Sequence, residues 1–432
     1  MVIRAVNKRI TSIRQNNALS KLISNTSWLF LEQLFRMSVA MFVSIWIIRY
    51  LGPEGYGLLS YSQSIFTITG AIASLGLDQI LVREYVKGEI SKEALLGTAF
   101  GLKLFAGIAI LSLLAIMIVF QRDYYTGILI LIVSAGMLFQ TFNVIGFLFQ
   151  AEMRSKYSAL SNMIALIVMT IVKLILLLIK APLIFFAIAT AFDLIVNAAC
   201  LWYFYHRYFM TIGKWSFNKK IASQFLREGW PLILTGVSAN IAMRIDQIML
   251  KSYFDAVTVG VYAAGVRLAE VFTFIPMVVG TAIYPKIVAS NLPEEEHQIY
   301  GIIRYVFYFL IVFAVLINLI GSYAVAILFG ADYVASASVF NILIWTIPFF
   351  YLTVISNKLL MKINKSRLIL IRQIYVAVLN IVLNLIFIPY YGVTGSAIAT
   401  LSSIVIVLLL EFFSKETRWI FVLKLKALFY FH

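Results

Sequence analysis

Residues 29–42 read LFLEQLFRMSVAMF, and inside this apolar run Glu32 and Arg36 stand one helical turn apart. On a helix, positions i and i+4 share a face, and an acid placed N-terminal to a base is the favourable order. Near the centre of a bilayer one charge costs about 2.5–3.5 kcal/mol on insertion scales, so such residues face a partner or a water-filled cavity. The pattern recurs. Asn240, Arg244, Gln247 and Lys251 fall at i, i+4, i+7 and i+11 and make a polar stripe. Asp246 is about 200° around that helix from Arg244 and does not pair with it along the helix. Arg267 and Glu270 are three residues apart, and Lys173 and Asp193 each interrupt a further apolar run. Ser60, Ser64, Thr67, Ser74 and Asp78 share one helical face, as do Gln373, Asn380 and Asn384.

Depth gives these residues a chemistry. Arg36, Arg244 and Arg267 lie roughly 10–15 residues from the ends of their apolar runs, or about 15–20 Å at the helical rise. Three arginines near one depth predict a shared hydrated cavity. A guanidinium stays charged, and its planar fork matches phosphate or carboxylate oxygens. Arg36, Arg244 and Arg267, with Lys173, therefore read as a binding set for a phosphate-bearing or acidic ligand. Glu32, Asp193, Asp246 and Glu270 are either coupling-ion sites for H+ or Na+ or charge partners of the arginines.

The elements that must position them follow from composition. Of 432 residues, 62% are hydrophobic and 12% charged, and mean hydropathy is +0.95. A soluble chain carries roughly twice that charge. Apolar stretches of about 20 residues, enough to span a bilayer, recur from end to end. In lipid the backbone must satisfy its own hydrogen bonds, so these runs predict α-helices. Twelve spans are placed near 24–50, 57–81, 95–119, 125–149, 158–180, 182–205, 229–252, 257–283, 301–328, 335–361, 367–389 and 393–413. Short turns such as GPEGYG and YYGVTG pair them into hairpins. Pro231, Pro276, Pro285, Pro348 and Pro389 lie in or at the ends of second-half spans, where proline kinks or hinges a helix.

Lys and Arg gather at the N-terminus, the even-numbered loops and the C-terminus, whereas the odd-numbered turns carry Arg49, Arg122, Lys180 and Lys251. The positive-inside rule then puts both termini in the cytoplasm, and the net charge of +16 reflects topology next to anionic lipid rather than nucleic-acid binding. The expected organisation is an N-terminal six-helix lobe (1–205), a cytoplasmic linker (206–228), a C-terminal six-helix lobe (229–413) and an interfacial tail on the cytoplasmic surface (414–432). Gly57 and Gly260 close corresponding hairpins of the two halves, in line with a parallel duplication.

Several classes fall away. There is no Walker A, H-E-x-x-H or G-x-S-x-G motif, and no loop exceeds about 25 residues. Cys200 is the single cysteine and His206, His297 and His432 are scattered, so neither a disulfide framework nor a metal centre is expected. The basic N-terminus lacks a cleavage site, and the first helix is expected to be the insertion signal.

The chain resembles the Wzx-type polysaccharide or O-antigen flippases of the multidrug/oligosaccharidyl-lipid/polysaccharide (MOP) exporter superfamily. The segments that carry the resemblance are RYLGPEGYGLLSYSQSIF, SLGLDQILVRE, FQAEMRSKYSA, GVYAAGVRLAEVFTFIP and ILFGADYVASASVFNIL. It runs over nearly the whole chain and rests on the order and number of loose motifs. It implies an all-α polytopic fold of about 12 transmembrane helices in two six-helix lobes around a central cavity, in a bacterial or archaeal cytoplasmic membrane. It further implies alternating access driven by an ion gradient or the membrane potential, and no enzymatic step. The implied substrate is an undecaprenyl-pyrophosphate-linked oligosaccharide moved to the outer leaflet, with membrane lipids, a polysaccharide polymerase and a chain-length regulator as partners. The arginines would then meet the pyrophosphate or acidic sugars. The alternatives are a MATE-like drug or metabolite antiporter, against which the excess of arginine argues, and a membrane glycosyltransferase or polymerase.

Overall fold

Apolar runs free of turn residues become helices here without exception. Among residues 2–120, 123–209, 215–289 and 297–429, which this computed structural model describes, every regular element is helical. Nine helices among the described residues are long and apolar enough to cross a membrane. The protein is a multi-pass membrane protein. Its helices assort into two units built from interleaved stretches of chain. The first takes the chain through Val43 together with Thr69–Ile233; the second takes Ser44–Ile68 and the chain from Leu234 onward. A cut at the central connection does not anticipate that Ser44–Ile68 belongs with the C-terminal half.

The first unit holds the two ends of α1 (Val2–Ala73), then α2 (Leu77–Lys87), α3 (Lys92–Val119), α4 (Tyr124–Ala135), α5 (Met137–Gln140), α6 (Asn143–Ala151), α7 (Ser155–Leu178), α8 (Leu183–Phe209) and the first turns of α9 (Lys219–Tyr253). Its core joins Leu77 and Leu81 of α2, Leu95 of α3, Phe149 of α6, Tyr205 of α8 and Phe225 of α9. Trp215 packs edge-on to Phe100, Trp202 and Tyr205 and donates to the Tyr205 hydroxyl at 2.9 Å. Asn218 caps α9 by accepting from the Lys220 N–H at 2.9 Å. Of the stretch 206–228, read from sequence as a linker, residues 210–214 lie outside the described residues, Trp215 packs against this core and the residues from Lys219 on are helix.

The second unit contains the rest of α9, α10 (Ala256–Glu270), a 3₁₀ turn (Val271–Thr273), α11 (Phe274–Ala289), α12 (His297–Phe329), α13 (Ser336–Leu343), α14 (Thr346–Lys362), α15 (Ser366–Leu410) and α16 (Arg418–Phe429). Two membrane-length helices turn at a left-handed glycine, α1 at Gly52 (φ 65°) and α15 at Gly392 (φ 54°). These are the GPEGYG and YYGVTG turns, and positive φ is what glycine alone adopts at little cost. Pro276 and Pro348 follow breaks inside membrane-length spans, after the 3₁₀ turn Val271–Thr273 and after the turn at 344–345, whereas Pro231, Pro285 and Pro389 lie inside helices.

Gly57 and Gly260 have a direct use. A Cβ on Gly57 would overlap the Ala256 carbonyl oxygen, and one on Gly260 would overlap that of Pro53. The α1 segment of the second unit therefore crosses α10 backbone against backbone. At the other end of the chain, α16 is no loose tail. It buries Ile420, Leu423, Ala427 and Leu428, while Arg304 and Tyr308 of α12 donate to the carbonyls of Ala427 (2.7 Å) and Leu428 (3.0 Å). Those carbonyls have no partner of their own in a terminal turn.

Candidate functional site

In the second unit, α9 presents Arg244 and α10 presents Arg267 to one carboxylate. Arg244 Nη2 lies 3.0 Å from Glu270 Oε1 and Arg267 Nη1 lies 3.8 Å from Oε2. The helical spacing read from sequence pairs Arg267 with Glu270; the structure adds Arg244. Arg267 Nε also reaches the Ser44 hydroxyl at 3.4 Å, and buried Tyr56 lies within electrostatic range of all three charged groups. Two cations on one acid leave the site with a net positive charge. The side chains of Arg244 and Arg267 are 25% and 38% exposed, so the charge is open to a ligand.

Deeper in the same unit Asp246 is buried. It does not pair with an arginine: the Tyr262 hydroxyl of α10 donates to its Oδ2, and the Gln247 N–H donates to Oδ1 at 3.2 Å. Around it, α15 supplies amides and hydroxyls. Asn380 Nδ2 donates to Thr400 Oγ1 at 3.2 Å, and Ser396 Oγ donates to Asn384 Oδ1 at 2.9 Å. Gln247 accepts from Ser64 Oγ at 2.8 Å, which joins two of the polar faces seen in the sequence.

In the first unit, Arg36 Nε lies 3.1 Å from Glu32 Oε1 and Nη2 donates to Gln33 Oε1 at 2.8 Å. Glu32 is buried and Arg36 is open. Behind them Asn197 Nδ2 of α8 donates to Asn162 Oδ1 of α7 at 2.6 Å, and Asn162 stands near the Glu32 carboxylate. Arg36 borders a cavity of about 240 Å³ whose other polar walls include Asn143, Gln150, Ser158 and Asn162. Lys173, on α7, and Asp193, on α8, are both partly buried and line none of these groups; Lys173 has a partner of its own. Asp78 pairs with Lys103, which also sits over the Phe147 ring at 5.2 Å.

Sequence reasoning missed two clusters. One is the amide set of the first unit, whose signal is lone Asn and Gln residues inside apolar runs. The other is Glu411, which meets Lys424 and Arg372 (Nη2 at 2.8 Å), with Lys424 Nζ also donating to Ser356 Oγ at 2.8 Å. All three charged side chains are buried.

The sequence profile of a family described as "Polysaccharide biosynthesis protein" matches residues 22–291. The chain belongs to this family. Its fold is that of the MOP exporters. It is similar to the lipid II flippase MurJ in an inward closed conformation (TM-score 0.73, 18% identity, 92% of this chain and 90% of that chain). It is also similar to a multidrug resistance MATE family transporter of the MOP superfamily in an inward-facing conformation (0.69, 18%, 90% and 96%). A MOP superfamily transporter from Pyrococcus furiosus aligns as well (0.63, 15%, 93% and 96%). No curated protein matches in sequence. The family match is to polysaccharide biosynthesis proteins, and the likeness to the flippase and the transporters is one of fold.

Proposed function

We propose that the protein flips an undecaprenyl-pyrophosphate-linked oligosaccharide from the cytoplasmic to the outer leaflet by alternating access, with both termini in the cytoplasm, to supply O-antigen, capsule or exopolysaccharide synthesis. The observation that carries this reading is the half-exposed Arg244–Glu270–Arg267 site in a chain of the polysaccharide biosynthesis family. Its net positive charge and two planar forks suit a pyrophosphate, the one group common to all such substrates, while the polyprenyl chain stays in lipid. Asp246 is the coupling group in this scheme. Its buried carboxylate accepts from the Tyr262 hydroxyl and the Gln247 N–H, with Arg244 in electrostatic range but not in an ion pair with it, so taking up H+ or Na+ relieves the cost of a buried charge without a close counter-charge. A polymerase and a chain-length regulator would receive the product.

The test is reconstitution into liposomes carrying a labelled polyprenyl-pyrophosphate oligosaccharide, with outer-leaflet exposure read by an added glycosidase. Exposure above that of empty liposomes, lost in Arg244→Ala and Arg267→Ala, supports the reading. No exposure by the wild type, with extrusion of organic cations instead, would replace it with a MATE-like antiporter.

A further inference from the structure

The first unit's cavity has a different electrical character from the Arg244–Glu270–Arg267 site. Among its described lining residues the one cation, Arg36, lies 3.1 Å from its own carboxylate, Glu32, which is buried. The pair is neutral, so the cavity has no surplus charge to hold a phosphate. A cation is equally ill served, because the carboxylate is already paired with Arg36.

What remains is a wall of uncharged groups. Among the described residues, the side chains of Asn143, Gln150 and Ser158 have no protein hydrogen-bond partner. They come from α6 and α7, in membrane-length helices, where an amide turned toward lipid is costly. Carboxamides and a hydroxyl each both donate and accept. A polyol makes the same double demand at every hydroxyl, whereas an anion only accepts and a cation only donates. Phe147 adds an apolar wall for ring carbons. At about 240 Å³ the cavity holds the equivalent of roughly eight waters at ~30 Å³ each, which is room for one sugar ring and not for a whole repeat.

We propose that this cavity binds one uncharged sugar ring of the substrate glycan through Asn143, Gln150, Ser158 and Asn162, with the Arg36–Glu32 pair as a neutral, orienting wall. The proposal rests on the flippase reading and changes the role of Arg36 from phosphate ligand to sugar ligand.

The experiment uses the full-length protein in detergent and two probes: undecaprenyl pyrophosphate carrying a single neutral hexosamine, and undecaprenyl pyrophosphate alone. Binding is followed by tryptophan fluorescence, and the ratio of the two affinities is the readout. The wild type is expected to prefer the glycosylated probe about ten-fold, the order that one or two net hydrogen bonds supply. That ratio should hold from low to high salt, since no net charge is involved. Asn143→Leu with Ser158→Ala should bring the ratio to about one and leave affinity for the bare lipid unchanged. Gln150→Leu, an exposed position where misfolding is not at issue, should lower it several-fold. If these variants keep the wild-type ratio, or weaken both probes equally, the sugar site is wrong and the flippase reading stands. A wild type that binds neither probe removes the flippase reading itself.

Discussion

Two glutamates of the second unit each meet two cations: Glu270 meets Arg244 and Arg267, and Glu411 meets Arg372 and Lys424. The charge sum is the same. The surroundings differ. At Glu411 the three side chains are 1–10% exposed, against 24–38% at Glu270. A buried cluster must satisfy itself, and burial pushes the Lys424 ammonium down to about 8 despite the pull of Glu411. A ligand has no route to it. Its work is to fasten α16 to the ends of α14 and α15. The open cluster keeps its surplus charge where an anion can reach it. Charge content alone therefore does not separate a brace from a binding site; exposure does.

The comparison breaks most visibly at Glu411. Glu411→Ala leaves Arg372 and Lys424 buried without a counter-charge, which costs about 3–5 kcal/mol. In a membrane protein this should appear as a large fall in melting temperature and loss of a monodisperse peak in detergent. Replacing all three together, Arg372→Met, Glu411→Leu and Lys424→Met, should restore folding, because burying apolar side chains needs no partner. A wild-type melting temperature in Glu411→Ala would mean the cluster is not a brace.

At the open site the same kind of deletion should read out as transport. Arg244→Ala and Arg267→Ala should each lower glycan export at least ten-fold while melting temperatures move little, since half-exposed pairs contribute weakly to stability. The lysine versions keep the charge and lose the fork, so they should recover only part of the export. Unimpaired export in both alanine variants would remove the headgroup from this site.

Glu270→Gln sharpens the contrast with a smaller effect. It preserves size and removes the one negative charge between the two arginines. Affinity for a lipid pyrophosphate should rise several-fold, with a steeper dependence on salt, and turnover should slow because release slows. Unchanged affinity would mean that the arginines are not the groups the phosphate meets.

How much of this could be read from the sequence depends on which residues are asked. The helical class, the turns at Gly52 and Gly392, and the Arg267–Glu270 pair are local, set by hydropathy, positive φ and spacing along one helix. Gly57 and Gly260 read from the sequence as closing corresponding hairpins; that each is held against the other's segment is a contact between helices, which spacing along one helix does not report. Arg244 was legible as a charge without a local partner, but its partner comes from another helix. Lys424 read as part of an interfacial tail because alternation of basic and apolar residues cannot report that Glu411 and Ser356 wait in neighbouring helices. Asn143, Asn162 and Asn197 were passed over for the same reason: an amide in an apolar run marks a polar contact without saying where. Arg36 shared a depth with Arg244 and Arg267, yet it belongs to the first unit and they belong to the second.

A third carboxylate of the second unit sets the lower end of the scale. Asp255 is exposed and caps α10, accepting from the Thr258 N–H at 2.8 Å and hydroxyl at 2.7 Å. These two donors hold its carboxyl below the ordinary range. With the folded value depressed, the cap's stabilisation is present above the unfolded carboxyl's titration near pH 4 and is lost as pH falls through the folded value. Asp255→Ala should cost about 1 kcal/mol or less, visible as a small drop in melting temperature at pH 7 that shrinks on acidification, and Asp255→Asn should cost less still. Export should be unaffected, because the cap touches neither arginine. If removing this exposed cap lowered stability as much as removing Glu411, burial would not be what sorts the carboxylates of this unit, and the division between brace and binding site would have to be drawn from geometry alone.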